Sequence, residues 1–451
     1  MRDCRKGLPR MTVAAVILVT GFVALPARAQ DSSHSETDNS AAPTVESSTP
    51  PEPPETDILS ADTLSIIVDG RLVLANGARS WVHRGLGKTR FDGTSSGDAE
   101  LQALPIEGDL IWQPRFTRTL NGNVSVSWQR DHEDAPDVME AYLAFNPARK
   151  GTTSFALKGG LYWPEISLEH ATGGAWSTVY TLTPSAINSW VGEEVKVVGA
   201  EATLFHTIGS QDLSFTAGVF GFNDTSGTLL SFRGWALHDV KSTLFGHFPL
   251  PPLNSFITLL QQHETRSVAE IDNRPGFYGR AEWRPSGNFV LNAFYYDNRG
   301  NPQAFWPSGQ WGWRTRFLNL GLVANLGAST RLLAQAMQGT TKMGFKTGGQ
   351  VWVSTRFRSA YALLSRQVGA GALSGRIEWF DTKERGSQMS HADESEDGWA
   401  ATAALRWPLW NHFTGFLEAL HVESDRGRRL GLGIPAEESQ NVLQAALRLR
   451  W

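Results

Sequence analysis

The last eleven residues, Asn441-Val442-Leu443-Gln444-Ala445-Ala446-Leu447-Arg448-Leu449-Arg450-Trp451, alternate without a break. Counting back from Trp451, one register holds Leu449, Leu447, Ala445 and Leu443, and the other holds Arg450, Arg448, Ala446 and Gln444. A period of two is the period of a strand, with one greasy face and one polar, cationic face. Such a strand can be the edge of a soluble sandwich or part of a closed barrel with lipid outside and water inside. Only closure satisfies every backbone group in lipid, because it leaves no edge.

The other end of the chain favours the barrel. Arg2, Arg5, Lys6 and Arg10 precede an apolar run from Met11 to Leu25, and Ala27-Arg28-Ala29 precedes Gln30. This is the three-part pattern of a cleaved secretory signal over residues 1–29. Cys4, the sole cysteine, lies inside it, so the processed chain has no thiol for metal, redox or nucleophilic chemistry and no disulfide. Beyond the signal no window approaches the roughly 18 apolar residues of a spanning helix. An exported chain rich in Trp, Phe and Gly fits an aromatic-girdled barrel in the outer membrane. Residues 30–56 combine Ser, Thr and Pro with six acids and no Lys or Arg, and read as a short disordered periplasmic tail. The barrel is assigned to 57–451; it is close to neutral, which argues against a nucleic-acid partner.

From residue 57 on, alternating stretches and turns succeed one another. Leu64, Ile66, Val68, Leu72 and Leu74 oppose Asp69 and Arg71; Leu110, Trp112 and Phe116 oppose Glu107, Asp109, Gln113 and Arg115. Thr119-Leu120-Asn121-Gly122-Asn123 reads as an Asn-Gly hairpin turn. Met139, Ala141, Leu143 and Phe145 form another apolar face. Short turns are expected near 146–147, 210–212, 284–288, 327–330, 369–371 and 407–411, and long polar loops at 83–103, 164–193, 238–275, 297–312, 384–398 and 423–440. Short turns at one end and long loops at the other are the asymmetry of outer-membrane barrels. At roughly 25 residues per strand with its share of connections, the chain makes 16 to 18 strands, 16 preferred, enough to leave an aqueous channel. The expected fold is therefore all-β: a transmembrane antiparallel β-barrel.

Register places Arg71, Asp109, Arg115, Glu140, Lys158, Arg280, Glu282, Arg284, Arg356, Arg358, Arg376, Glu378, Arg448 and Arg450 on the pore side. Rings of charge select ions by sign, whereas single inward charges more often brace the wall by cross-strand pairing. The arginine excess on late strands suggests a modest anion preference. The stretch 164–193 is expected to fold into the lumen as a constriction loop, with Glu165, Glu169, Glu193 and Glu194 facing the arginines. Gly93-Thr94-Ser95-Ser96-Gly97 fits G-x-S-x-G formally but lies in a polar loop without the strand and helix a nucleophile needs. Asp131-His132-Glu133-Asp134 and His263-Glu264 lack the H-E-x-x-H zinc spacing. Asp393, Glu394, Glu396 and Asp397 could hold calcium, but a solvated acidic loop is the plainer expectation. No cofactor, metal or catalytic site is expected.

Two blocks carry a family resemblance. Residues 155–169, Phe155-Ala-Leu-Lys-Gly-Gly-Leu-Tyr-Trp-Pro164-Glu165-Ile-Ser-Leu-Glu169, with Trp176 and Trp190 beyond, resemble the segment of phosphate-selective-type outer-membrane porins in which a Lys-Gly strand reaches a Pro and a Ser-x-Glu loop. The second block, Arg376-Ile-Glu-Trp-Phe380-Asp381, Glu396-Asp397-Gly398-Trp399 and Ser424-Asp425-Arg426, is similar to porin-like proteins of Gram-negative bacteria. The resemblance implies a 16-stranded, commonly trimeric barrel that passes small anionic or polar solutes. The chain departs from the phosphate-selective members in lacking their arginine ladder and clustered lysines. Leu447, Leu449 and Trp451 fit a terminal assembly signal read by the barrel-assembly machinery, and membrane lipid and lipopolysaccharide are the expected surroundings. The reading is a porin for passive diffusion of small hydrophilic solutes. The alternatives are an outer-membrane barrel enzyme of protease or phospholipase type, or a non-conducting structural or receptor barrel.

Overall fold

Alternating segments that follow one another in sequence pair antiparallel, and the pairing returns to its start. The computed structural model describes residues 56–148, 151–171, 175–389 and 394–451. The expected signal and nearly all of the expected acidic tail lie outside these residues, as does Asp393. The strands are β1 (Leu64–Ala75), β2 (Glu100–Trp112), β3 (Leu120–Gln129), β4 (Asp137–Phe145), β5 (Thr153–Tyr162), β6 (Val197–Ile208), β7 (Gln211–Gly221), β8 (His247–Pro249), β9 (Glu264–Arg266), β10 (Gly276–Ser286), β11 (Phe289–Asp297), β12 (Arg314–Asn325), β13 (Thr330–Thr347), β14 (Gln350–Val368), β15 (Gly371–Glu384), β16 (Glu396–Trp410), β17 (Phe413–Arg426) and β18 (Glu437–Arg450). All but β8 and β9, which form a small hairpin of their own, join one closed barrel of sixteen strands.

Closure is made by β18 on β1, in a register that sets Leu449 opposite Val68 and Leu443 opposite Leu74. Beyond the ladder, Trp451 N donates to Ile66 O at 2.9 Å and Ile66 N to Trp451 O at 2.7 Å. The two registers of the terminal strand separate as their chemistry dictates. Leu443 and Leu447 are exposed on the outer face, while Gln440, Val442, Gln444 and Ala446 are buried inside. The same holds round the barrel, where Leu204, Leu320, Leu373, Ile377 and Leu417 stand outward in a continuous apolar belt. Outward aromatics border it, with Trp283, Trp407, Trp410 and Trp451 at the short-turn end and Trp128, Phe277, Tyr295 and Trp399 at the loop end. That is the outer surface of a membrane-spanning barrel.

Connections at one end are short: residues 209–210, 287–288, 326–329, 369–370 and 411–412. At the other end they run over 76–99, 163–196, 222–275, 298–313, 385–395 and 427–436. The exceptions at that end are the seven-residue connection 130–136 and the two-residue Gly348-Gly349 loop between β13 and β14, of which the second is the tight one. Its residues have φ of 61° and 87°, the left-handed values a tight hairpin needs. Several expected boundaries move. Asn121 and Gly122 lie within β3, paired with Ala144 and Leu143, and the turn falls earlier, over 113–119. Met139 faces inward and not with Ala141 and Leu143, because the register shifts between Ser125 and Val126. The loop expected from 238 begins at 222.

Candidate functional site in the barrel lumen

A barrel of this girth has room for a wide channel. Two of its long connections occupy that room. Residues 163–171, 175–196 and 222–275 turn inward and carry α1 (Ala186–Glu194) and α2 (Thr228–Phe232), every residue of which is buried. Ser185 caps α1, its hydroxyl accepting from Asn188 N. A helix buried on all sides must find partners on all sides, and the wall supplies them. Leu182 N and Thr183 N donate to the Glu418 carboxylate at 2.5 and 3.1 Å, and Ala186 N to Glu378 at 2.7 Å. Asn188 Nδ2 donates to Gln335 at 2.9 Å. Arg376 binds Glu169 and the Thr183 carbonyl, both at 2.9 Å, and Glu378 at 2.8 Å.

The second segment ties the first to the opposite wall. Both terminal nitrogens of Arg233 fork onto the Glu193 carboxylate at 2.7 Å. Asp239 accepts from Arg71 of β1 and, at 2.7 Å, from Arg90. Lys241 pairs with Glu107 of β2, and its backbone N–H donates to Gln129 of β3 at 2.8 Å. Ser231 meets Thr355 at 2.8 Å, and Trp235 Nε1 donates to Asp381 O at 3.0 Å. The wall answers apolar groups in kind. Trp190 lies 5.3 Å from the ring of Phe317 and 5.1 Å from that of Phe357, with Trp235 against both Trp190 and Phe357. Burial alone would raise the Glu193 carboxyl, but the Arg233 guanidinium and His238 hold it down to about 2. Burial pushes Glu194 up to about 7, although Leu229 N, Trp190 Nε1 and Gly227 N donate to it.

At the short-turn half the lumen stays open, as two cavities, one bordered by Trp163, Glu165 and Trp176 and the other by Val179 and Tyr180. One, of about 390 Å³, is walled by β3–β7 and β10 and mixes signs: Glu140, Glu165, Glu201 and Glu282 with Lys158, Arg280 and Arg284. All of these charges except Glu140 are ion-paired. Lys158 pairs with Glu201 at 2.8 Å, Arg280 with Glu165 at 3.4 Å, and Arg284 with Glu282 at 2.8 Å. The other, of about 560 Å³, is walled by β12–β16 and includes Arg331 and Arg406 but no acidic side chain.

The sequence-predicted residues divide accordingly. Arg71, Arg376, Glu378 and Arg448 hold the inner segments or the residues around them, and Arg448 pairs with Asp69 at 2.7 Å. Glu169, Glu193 and Glu194 are locked in the filled half; Glu165 is on the open cavity. Lys158, Glu140, Arg280, Glu282 and Arg284 line that same cavity. Asp109 is buried on the inner face of β2, with neither carboxylate oxygen hydrogen-bonded among the described residues. Arg115 sits in the β2–β3 turn against Asp57 at 2.9 Å, and Arg450 is exposed at the short-turn rim. Arg356 and Arg358 are a correction: they face outward. The inner register of β14 is Val353, Thr355, Phe357, Ser359, Tyr361 and Leu363, buried against the inner segments, and this turns both arginines out of the lumen. Asp239, Lys241, Arg233, Glu418, Arg331 and Arg406 were missed. Inward parity on β13, β16 and β17 would have found Arg331, Arg406 and Glu418.

The other chemical candidates resolve into structure. Ser95 and Ser96 lie in an exposed turn where the Ser96 hydroxyl donates to Asp98 at 2.7 Å, with no elbow around them. Glu394 and Glu396 are buried, not solvated as expected, and pair with Arg426 at 3.1 Å and with Lys88. Asp224, Glu270 and Asp272 bring three carboxylates within 4.8 Å of one another. Each already accepts backbone N–H groups, Asp224 from Ile271 and Asp272 for example.

The sequence matches no family profile and no curated protein. Solved structures are similar in fold. The outer membrane channel DcaP of Acinetobacter baumannii superposes with a TM-score of 0.51 at 10% identity, over 86% of this chain and 96% of that one. An anion-selective porin from Comamonas acidovorans gives a TM-score of 0.49 at 11% identity, over 86% and 99%.

Proposed function

We propose that this chain is an outer-membrane channel of porin type, which passes small hydrophilic solutes through a lumen restricted by its own inner segments, and that it is not an enzyme. The observation that carries the reading is the polar, open half of the lumen beneath a filled half, inside a sixteen-strand barrel with a lipid-facing belt. The cavity with Arg331 and Arg406 and no acid supports an anion preference, since a wall of one sign raises the local concentration of the opposite ion. Kinship with phosphate-selective porins is supported by residues 155–169, and homotrimeric assembly by the same resemblance. Planar-bilayer recording of the refolded mature protein in a KCl gradient tests the function. We expect small discrete steps and a reversal potential of anionic sign, with phosphate reducing the chloride current if the finer kinship is right. A cationic sign would remove the anion preference.

The filled half favours one further reading, a barrel that does not conduct at rest. Silence from a folded, heat-modifiable protein would select it and discard the open porin.

A further inference from the structure

The correction at Arg356 and Arg358 exposes a pattern on the outside of the barrel. Among the described residues, every Arg or Lys that a barrel strand turns outward lies on β12–β15. Five of these cluster in the loop-side half of the wall: Arg314, Arg316, Lys342, Arg356 and Lys383, with Arg358 beside them. The register aligns them across neighbouring strands. Arg316 stands opposite Thr340, Thr340 opposite Arg356, and Arg356 opposite Lys383. Arg314 stands opposite Lys342. Like charges set directly across a sheet destabilise it. Two members are compensated, Arg314 by Asp297 at 3.4 Å and Arg358 by Asp381. Arg316, Lys342, Arg356 and Lys383 form no ion pair among the described residues.

The geometry between them is a receptacle. A groove of about 260 Å³ opens outward, lined by Tyr295, Arg316, Leu318, Gln338, Thr340 and Arg356. Arg316 and Arg356 are two strand spacings apart, roughly 10 Å, with the Thr340 hydroxyl midway. Immediately toward the middle of the barrel wall the same outer faces become apolar, with Leu318 and Leu320 on β12 and Ala334 and Ala336 on β13. A ligand that suits this surface has a phosphorylated head for the guanidinium pair and hydrocarbon for the belt below it.

We propose that the outer face of β12–β15 binds a phosphorylated lipid headgroup of the surrounding leaflet, with the phosphate over Thr340 between Arg316 and Arg356, Lys342 and Lys383 flanking it, and the acyl chains along Leu318 and Leu320. This is independent of conduction, since these side chains point away from the lumen.

The test is native mass spectrometry of the full-length barrel in detergent with a bisphosphorylated acylated disaccharide lipid. Its dephosphorylated counterpart, phosphatidylcholine and inorganic phosphate serve as separate probes. We expect one tightly retained bisphosphorylated lipid, at least tenfold weaker retention by the Arg316→Ala/Arg356→Ala variant, and no change for Arg366→Ala, an outward cation at the other end of β14. Heat-modifiability and single-channel conductance should be unaltered in both variants. Equal retention of the phosphorylated and dephosphorylated lipids would overturn the proposal. So would equal retention by the double variant, or displacement by millimolar inorganic phosphate, which would make the site one for the free anion. Loss of oligomer in the double variant without loss of lipid would reassign the surface to a second copy of the chain.

Discussion

The loop-side half of the lumen and the short-turn half are walled by the same sixteen strands, yet they use charge in opposite ways. In the first, Arg376 and Arg233 are buried and Asp239 is half-buried, and all three are multiply hydrogen-bonded and committed to holding two chain segments across the bore. In the second, Lys158, Arg280 and Arg284 border open cavity, and Arg331 and Arg406 face a cavity with no acid in its lining. An inward charge is therefore not by itself a selectivity element. What distinguishes the two is whether a backbone segment has taken the place that water would fill.

The largest effect that would sharpen this contrast comes from removing the segment. Deleting 170–190 should raise single-channel conductance several-fold. An unchanged step size would show that current does not pass where α1 lies. Next comes the anchor. Arg376→Ala strands Glu169 and Glu378 as buried unpaired acids, and breaking such a pair costs about 3–5 kcal/mol. The expected signature is a lowered unfolding temperature with faster hydrogen exchange in 182–194; unchanged exchange there would mean that Glu418 and Gln335 suffice. A smaller effect is expected in the open half. Replacing Arg331 and Arg406 by Glu should move the reversal potential toward cations with little change in stability, while Lys158→Met, in the cavity whose cations are all ion-paired, should move it much less. Equal shifts from both would erase the difference between the cavities.

The smallest effect is one of pH. With Glu193 held at about 2 against an ordinary 4.5, its stabilising contribution is present above the ordinary value and is lost only as pH falls through about 2. Acidification from pH 7 to 5 should thus leave the Arg233–Glu193 tie intact. Over the same interval the neighbouring Glu194, raised to about 7, takes up its proton in the folded state before the unfolded chain does, so acidification should strengthen the fold slightly; a rise in unfolding temperature from pH 7 to 5 that disappears in Glu194→Gln would trace to it.

Much of the architecture was legible because lipid imposes a simple rule on the outer face. The alternation at 441–451, the sidedness of the turns and the count of sixteen all follow from it. The lumen was less legible, since nothing in a period of two says what fills the inside. On β14 both faces carry large apolar groups, Phe357 and Tyr361 inside and Leu364 outside. Taking the arginines as the inward set was therefore wrong, because the inward set had to match Trp190 and Trp235. Aromatics in the inner register, Phe294 and Tyr296 on β11 and Phe317 on β12, were the available sign of an occupied bore. The stretch 222–275 carried no periodic signal at all, and its inward course depends on long-range partners such as Arg71, Thr355 and Glu107.

The inner segments also have a mechanical consequence. They are fastened to β1–β3 on one side and to β13–β17 on the other, so they act as a strut across the diameter. A hollow cylinder of hydrogen-bonded ribbons flattens readily into an ellipse when lateral pressure in the bilayer rises, whereas a braced one keeps its round cross-section. The same braces that narrow the passage would thus fix the shape of what passage remains.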